Sequence, residues 1–139
     1  MPYLFDTSAI SIAMSPRRIE RHPRFGAWLR RLPRSEQFTC TTVVGELRFG
    51  ALHHTEITQV LMTRIDAVLS RLTVLSYDVR AAEHYAVVRA ALAAKGKEIG
   101  EADMQIAACA LAHACHVVTA NGKHFSRVAG LQVHIVELA

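Results

Sequence analysis

The sequence predicts an α/β fold, with a central, mainly parallel sheet of four to five strands covered by helices on both faces. Short apolar or β-branched runs alternate with longer amphipathic segments from one end of the chain to the other. The runs are three to eight residues long and end in polar or acidic residues, as strands do when they deliver side chains to a crevice. With 139 residues, 51% of them apolar, the chain can bury one substantial core. No linker, internal repeat or composition shift divides it, so residues 1–139 are read as a single domain.

The elements follow in order. Tyr3-Leu4-Phe5 is an apolar run that stops at Asp6, a buried strand whose end presents a carboxylate. Ser11 to Pro23 is polar and reads as an exposed connection, helical in part. Phe25, Trp28, Leu29 and Leu32 recur at helical spacing until Pro33 interrupts them. Gln37 to Val44 is β-branched and reads as the second strand, running into a helix over about Val43 to His53 with Glu46 in its first turn. Ile57 to Leu72 repeats Ile57, Val60, Leu61, Ile65, Val68, Leu69 and Leu72 on one helical face. Thr73-Val74-Leu75 is a third strand. Asp78 is placed to cap a long helix over Val79 to Ala94. Gly96 and Gly100 bracket a turn before an alanine-rich helix from Glu101 to Leu111. Asp103 shares the core-facing side of that helix with Ile106, Ala107 and Ala110. His116 to Thr119 is the fourth strand, and Leu131 to Val136 alternates as an edge strand does.

Composition excludes several classes. Lys and Arg (16) outnumber Asp and Glu (12), a formal charge of +4 that suits a polyanionic partner without establishing one. The excess gathers between Arg17 and Arg34, either as a solvated helix face or as a contact for phosphates. No apolar signal segment precedes Asp6, and the longest mostly apolar stretch, Ile106 to Thr119, is too short for a membrane span. Cys40, Cys109 and Cys115 sit in apolar segments and read as reduced core thiols of a cytoplasmic protein. Cys109, His113, Cys115 and His116 do not close a tetrahedral zinc set, because the last two fall where helix gives way to strand. Asp6-Thr7-Ser8-Ala9 is not a glycine-rich phosphate loop, which counts against a dinucleotide or P-loop enzyme.

Taken singly, the acids have ordinary readings: Asp6 as a helix cap, Glu46 as a partner of the helix dipole. Asp103 is less ordinary, because an inward carboxylate is costly unless paired or bound to a cation. If the sheet gathers Asp6, Glu46 and Asp103 at one edge, their mutual repulsion is relieved by a hard divalent cation. Such an ion eases deprotonation of water and stabilises charge at a phosphodiester. No Ser-His-Asp or Cys-His set is required.

Four motifs, Tyr3-Leu-Phe-Asp6-Thr-Ser, Val43-Val-Gly-Glu46-Leu, Ile99-Gly-Glu-Ala-Asp103-Met-Gln-Ile-Ala-Ala108 and Val118-Thr-Ala-Asn121-Gly-Lys-His-Phe125, stand in order at intervals that resemble the PIN-domain ribonucleases. In particular the chain looks like a toxin of the bacterial VapBC toxin–antitoxin systems, and the resemblance spans essentially its whole length. It implies a three-layer α/β/α sandwich, Mg2+- or Mn2+-dependent cleavage of RNA, a homodimer, and an antitoxin partner whose tail blocks the active site. By the same resemblance Asp6 and Asp103 are the principal metal ligands, and Glu46 binds metal or helps activate water. Thr7, Ser8 and Asn121 support them; apart from the resemblance, the basic residues Arg30, Arg31, Lys123 and His124 are read as contacts for RNA. One departure stands out: the family often carries a further acid at the slot of Asn121 or His124, and neither is acidic here. Asn121 can offer a neutral carbonyl oxygen and Glu101 could compensate in part from the neighbouring helix start, which leaves one or two metals open. The alternative to an enzyme is a non-catalytic PIN-like module that binds RNA or protein through its arginines.

Overall fold

The computed structural model describes residues 1–136; the last three residues of the expected 1–139 domain lie outside the described residues. Five strands, β1 (Tyr3–Phe5), β2 (Gln37–Cys40), β3 (Thr73–Leu75), β4 (His116–Thr119) and β5 (Val133–Ile135), form one sheet in the order β3-β2-β1-β4-β5. Every pairing is parallel, with Leu4 opposite both Phe38 and Val117. Helices flank the sheet: α1 (Thr7–Ala13), α2 (Pro16–Glu20), α3 (Pro23–Arg31), α4 (Thr41–His53), α5 (Thr58–Leu69), α6 (Val79–Ala94), α7 (Glu101–Ala112) and α8 (Gly122–Phe125).

The central strand carries the apolar run because it is covered on both sides. Leu4 and Phe5 are buried, and so are Val117 and Val118 beside them on β4. Ile106, Ala107 and Ala110 of α7 complete this core. Cys40, Cys109 and Cys115 are all buried free thiols. Burial holds the Cys115 thiol up at about 11, so it stays a neutral, unreactive packing group. Among the described residues, no helix is long and apolar enough to cross a membrane.

From β1 the chain steps to β2 and β3 on one side, then returns to β4 and β5 on the other. Right-handed crossovers send the two sets of helices to opposite faces. The carboxyl ends of β1 and β4 therefore diverge at the switch point, where open parallel sheets hold their ligands. Asp6 follows β1 and Ala120 follows β4, so both enter this crevice.

Three expectations shift. Ser11 to Pro23 is mostly helical: α1 runs through Ala13, and Ser15 caps α2 by accepting from the backbone N–H of Arg18 (3.2 Å), with Pro16 in the first turn. The β-branched run that predicts strand to Val44 pairs only through Cys40, and Thr41 to Val44 is the start of α4. Burial of Val43 against the core outweighs its β propensity. Glu46 consequently sits in the second turn of α4 rather than the first. The helix read from Ile57 to Leu72 is α5, shorter at both ends.

Candidate active site

Asp6 is at once a cap and the centre of a network. It is the N-cap of α1, and its Oδ1 accepts from the backbone N–H of Ala9 (2.8 Å) and the hydroxyl of Ser8 (2.7 Å). Oδ2 accepts from the hydroxyl of Thr119 at 2.5 Å. The same Thr119 oxygen accepts from the backbone N–H of Asn121 (2.9 Å), and Ser8 accepts from that of Ala120 (2.9 Å). Two side chains thus bind the end of β4 to the end of β1. Asp6 is only 4% exposed. Burial pushes its carboxyl above the usual range, the Thr119, Ala9 and Ser8 donors pull it back, and the charge of Asp103 raises it again. The two carboxylates are therefore electrostatic neighbours.

Glu46 and Asp103 reach the crevice from α4 and α7. The hydroxyl of Thr7 donates to Oε1 of Glu46, tying that acid to the residue after Asp6. Asp103 is half-buried, and its Oδ2 lies 3.0 Å from Nδ1 of His124 on α8. Because a carboxylate only accepts, Nδ1 carries the hydrogen in this pair. Asn121 Nδ2 approaches the same nitrogen at 3.4 Å. Thr42 donates to Gln105 across the α4–α7 junction (3.1 Å), holding the two acid-bearing helices together.

A cleft of about 380 Å³ opens beside Glu46 and Thr7, running between α1 and the α4–α5 hairpin. Arg18, Arg64 and His54 line it, so an acid-edged site continues into a basic groove. The chain matches the PIN domain family over residues 3–131. It belongs to that family. The protein described as ribonuclease VapC2 of Haemophilus influenzae is 32% identical over 132 residues, covering 95% of this chain and 96% of that one. The tRNA(fMet)-specific endonuclease VapC of Shigella flexneri is 37% identical over 87 residues, 63% of this chain and 65% of that one. Among solved structures, the DNA-bound VapBC of Salmonella typhimurium superposes with a TM-score of 0.84 at 27% identity, covering 99% of each chain.

Against this PIN domain, the predicted residues divide into two groups. Asp6, Thr7, Ser8, Glu46, Asp103, Asn121 and His124 are linked by the contacts above. Arg30 is elsewhere, lining a separate apolar cavity of about 200 Å³ with Phe5, Leu29 and Arg71, where none of the three acids contributes. Arg31 and Lys123 are exposed, on α3 and α8. Glu101 turns away from the site: Oε1 accepts from the Tyr85 hydroxyl (2.6 Å), and Arg89 stands 3.9 Å from Oε2. It does not stand in for a further acid.

Thr119 was missed by sequence reasoning. Its signal was a polar residue closing an apolar strand, and a threonine there also reads as ordinary β propensity. Arg64 was missed because α5 looked like a plain amphipathic helix.

A hard cation is tested by the donors present. Among the described residues, no three His, Cys, Asp or Glu side chains stand close enough together to hold a metal by themselves. The neighbouring pair Asp6 and Asp103 supplies oxygen donors only, and Asp103 Oδ1 takes no hydrogen bond among the described residues. This set fits a small divalent ion that binds through one or two carboxylates and keeps several waters, as Mg2+ does. Mn2+ accepts the same oxygens.

Proposed function

We propose that this chain is a Mg2+- or Mn2+-dependent endoribonuclease, the toxin of a VapBC-type pair, hydrolysing RNA phosphodiester bonds with an activated water in the cytoplasm. The observation that carries this reading is Asp6: a buried carboxylate at the sheet's switch point, oriented by three donors and within electrostatic reach of Asp103. The full-length match to a VapC ribonuclease supports it.

Asp6 and Asp103 would hold the cation, with Ser8 and Thr119 fixing the orientation of Asp6. When bound, the ion supplies positive charge at the phosphate and lowers the barrier to deprotonating water. Glu46, held by Thr7, is placed to take that proton. Arg18 and Arg64 in the adjoining cleft offer guanidinium groups to the RNA backbone. Lys123 and His124 flank the other side, and Arg30 and Arg31 extend the basic surface along α3.

The antitoxin is proposed to cover the α4–α5 hairpin. Phe49 (69% exposed) and Leu52 (61% exposed) stand out from it beside the cleft. Exposed aromatic and aliphatic side chains grouped on one hairpin mark a protein contact. The proposed homodimer has apolar surface to bury at the groove of Val87, Ala91 and Leu111.

The reading is tested by incubating the purified chain with RNA and Mg2+ or Mn2+, with and without EDTA. Cleavage that EDTA abolishes and added metal restores supports it; cleavage indifferent to EDTA contradicts it. The second reading, a non-catalytic module gripping RNA through the arginines between Arg17 and Arg34, predicts metal-independent binding without cleavage.

A further inference from the structure

Two histidines join the edge strand β5 to β4 on the face of the sheet that α3 covers. Nδ1 of His116 lies 2.8 Å from Nε2 of His134, with the ring planes 21° apart and the centroids at 5.0 Å. The parallel register explains the contact: His134 is opposite Val118, and His116 stands two residues earlier on the same face of β4. The Tyr3 ring packs edge-on against both imidazoles, with centroids at 5.6 and 5.2 Å. A hydrogen bond between two imidazole nitrogens needs one N–H and one free lone pair. It survives one added proton but not two, because two protonated rings turn N–H toward N–H and repel.

The surroundings do not offset a second charge. From β1 the pair meets the neutral Tyr3. From α3 it meets Trp28 and the cationic Arg24, which line a cavity of about 230 Å³ with His134. The short helix α8 packs on the opposite side of β5, at Ile135. Among the described residues neither imidazole pairs with a carboxylate. Burial, and the charge His116 carries once protonated, hold His134 below the usual imidazole range. β5 has little to replace the bond: it is three residues long, pairs on one side only, and has a cavity beneath His134.

The other contacts of this strand lead to the acids. The backbone N–H of Val136 donates to the carbonyl of Thr119 (2.7 Å), whose hydroxyl holds Asp6. Ile135 lies against Gly122 at the start of α8, the helix that carries His124 to Asp103.

We infer that His116 and His134 form a pH-sensitive latch that closes β5 onto β4, and that double protonation releases β5 together with its support of Thr119 and α8. This does not depend on the metal-dependent reading above. The sign follows from the lowered His134: the stabilising contribution is complete above about 6.5, where an unfolded imidazole is neutral, and is lost as pH falls through the folded value.

The test is amide hydrogen exchange of the full chain at about pH 7.5 and about pH 5, on either side of the ordinary imidazole range. Protection is corrected for the intrinsic exchange rate, and imidazole titrations are followed by NMR. In acid, wild type is expected to lose at least about tenfold of its protection at Val136, the factor that a one-unit difference in proton affinity is worth. Ala107 in α7 should keep its protection, which separates opening of β5 from global unfolding. His116→Gln and His134→Gln can still donate a hydrogen bond but cannot titrate, so β5 protection in each should be the same at both pH values. In His116→Gln the midpoint of His134 should rise. Either variant serves if the other does not fold, and the wild-type titration needs neither. Wild-type protection at Val136 that is indifferent to pH would overturn the inference. So would a loss that persists in both variants or that extends equally to Ala107.

Discussion

The hydroxyl of Thr119 donates to Oδ2 of Asp6 at 2.5 Å and joins the last residue of β4 to the first residue beyond β1. The two positions are 113 residues apart in sequence and adjacent at the sheet's switch point. Replacing Thr119 by Val keeps the shape and removes the hydroxyl, freeing the carboxylate oxygen and leaving the Asn121 N–H without its acceptor. We expect Thr119→Val, and Ser8→Ala by the same logic, to weaken Mn2+ binding about 10- to 100-fold. Calorimetric titration checks this, and unchanged affinity in both would remove the orienting role.

Asp6 also links the site to pH-dependent stability. Its carboxyl is raised above 3.8, mainly by burial, so the folded chain binds that proton more tightly than the unfolded chain does. A group raised in this way favours folding in acid and withdraws that contribution as pH rises from 3.8 through the raised folded value. Asp78 acts oppositely: capping by the Ala81 N–H lowers its carboxyl, so its contribution is lost in acid. The two have slopes of opposite sign, Asp6 above 3.8 and Asp78 below it, and comparison with Asp6→Asn isolates the Asp6 contribution. The metal-free variant is expected to melt above metal-free wild type at neutral pH, with the gap closing toward pH 3.8. Melting curves across pH provide the measurement; a gap that widens in acid has the wrong sign.

The exposed ring of Phe49 gives the proposed partner surface a separate handle. It stacks on His53, one turn further along α4. Phe49→Glu is expected to leave RNA cleavage intact. It should weaken capture of the cognate antitoxin by about 30-fold, the loss of one interface hot spot of roughly 2 kcal/mol. Biolayer interferometry with the purified partner reads this directly, and undiminished affinity would move the interface elsewhere.

Gly122 predicts a packing defect. A methyl group there meets Ile135 on the edge strand β5, and Ile135 is 55% exposed and free to give way in part. Gly122→Ala should therefore destabilise the fold by about 1 kcal/mol, the low end for overpacking. Denaturant unfolding measures the cost, and an unchanged midpoint would show that β5 absorbs the methyl group freely.

The fold was legible because its signals are local. Each strand lies in a short apolar, β-branched or alternating run, and Asp78 caps α6 as its position before Val79 suggested. The site was legible only in part. Asp6, Glu46 and Asp103 could be singled out as acids at element boundaries, but hydrogen bonding between distant segments leaves no periodicity in a sequence. Thr119 looked like an ordinary strand residue, and Glu101 looked available until Tyr85 was found holding it. The cap and the ligand readings of Asp6 competed in the sequence. In the structure one oxygen caps α1 while the other accepts from Thr119, so capping the helix leaves half of the carboxylate turned toward β4.

The central claim is that the carboxylate of Asp6 makes this PIN domain a metal-dependent ribonuclease. Its most direct test is RNA cleavage in Mg2+ or Mn2+ by wild type and Asp6→Asn, each shown to be folded by its melting curve. The account predicts cleavage by wild type and a loss of at least about 100-fold in the variant, the scale on which removing one charge-stabilising group slows an enzyme. Cleavage by Asp6→Asn at the wild-type rate would contradict it.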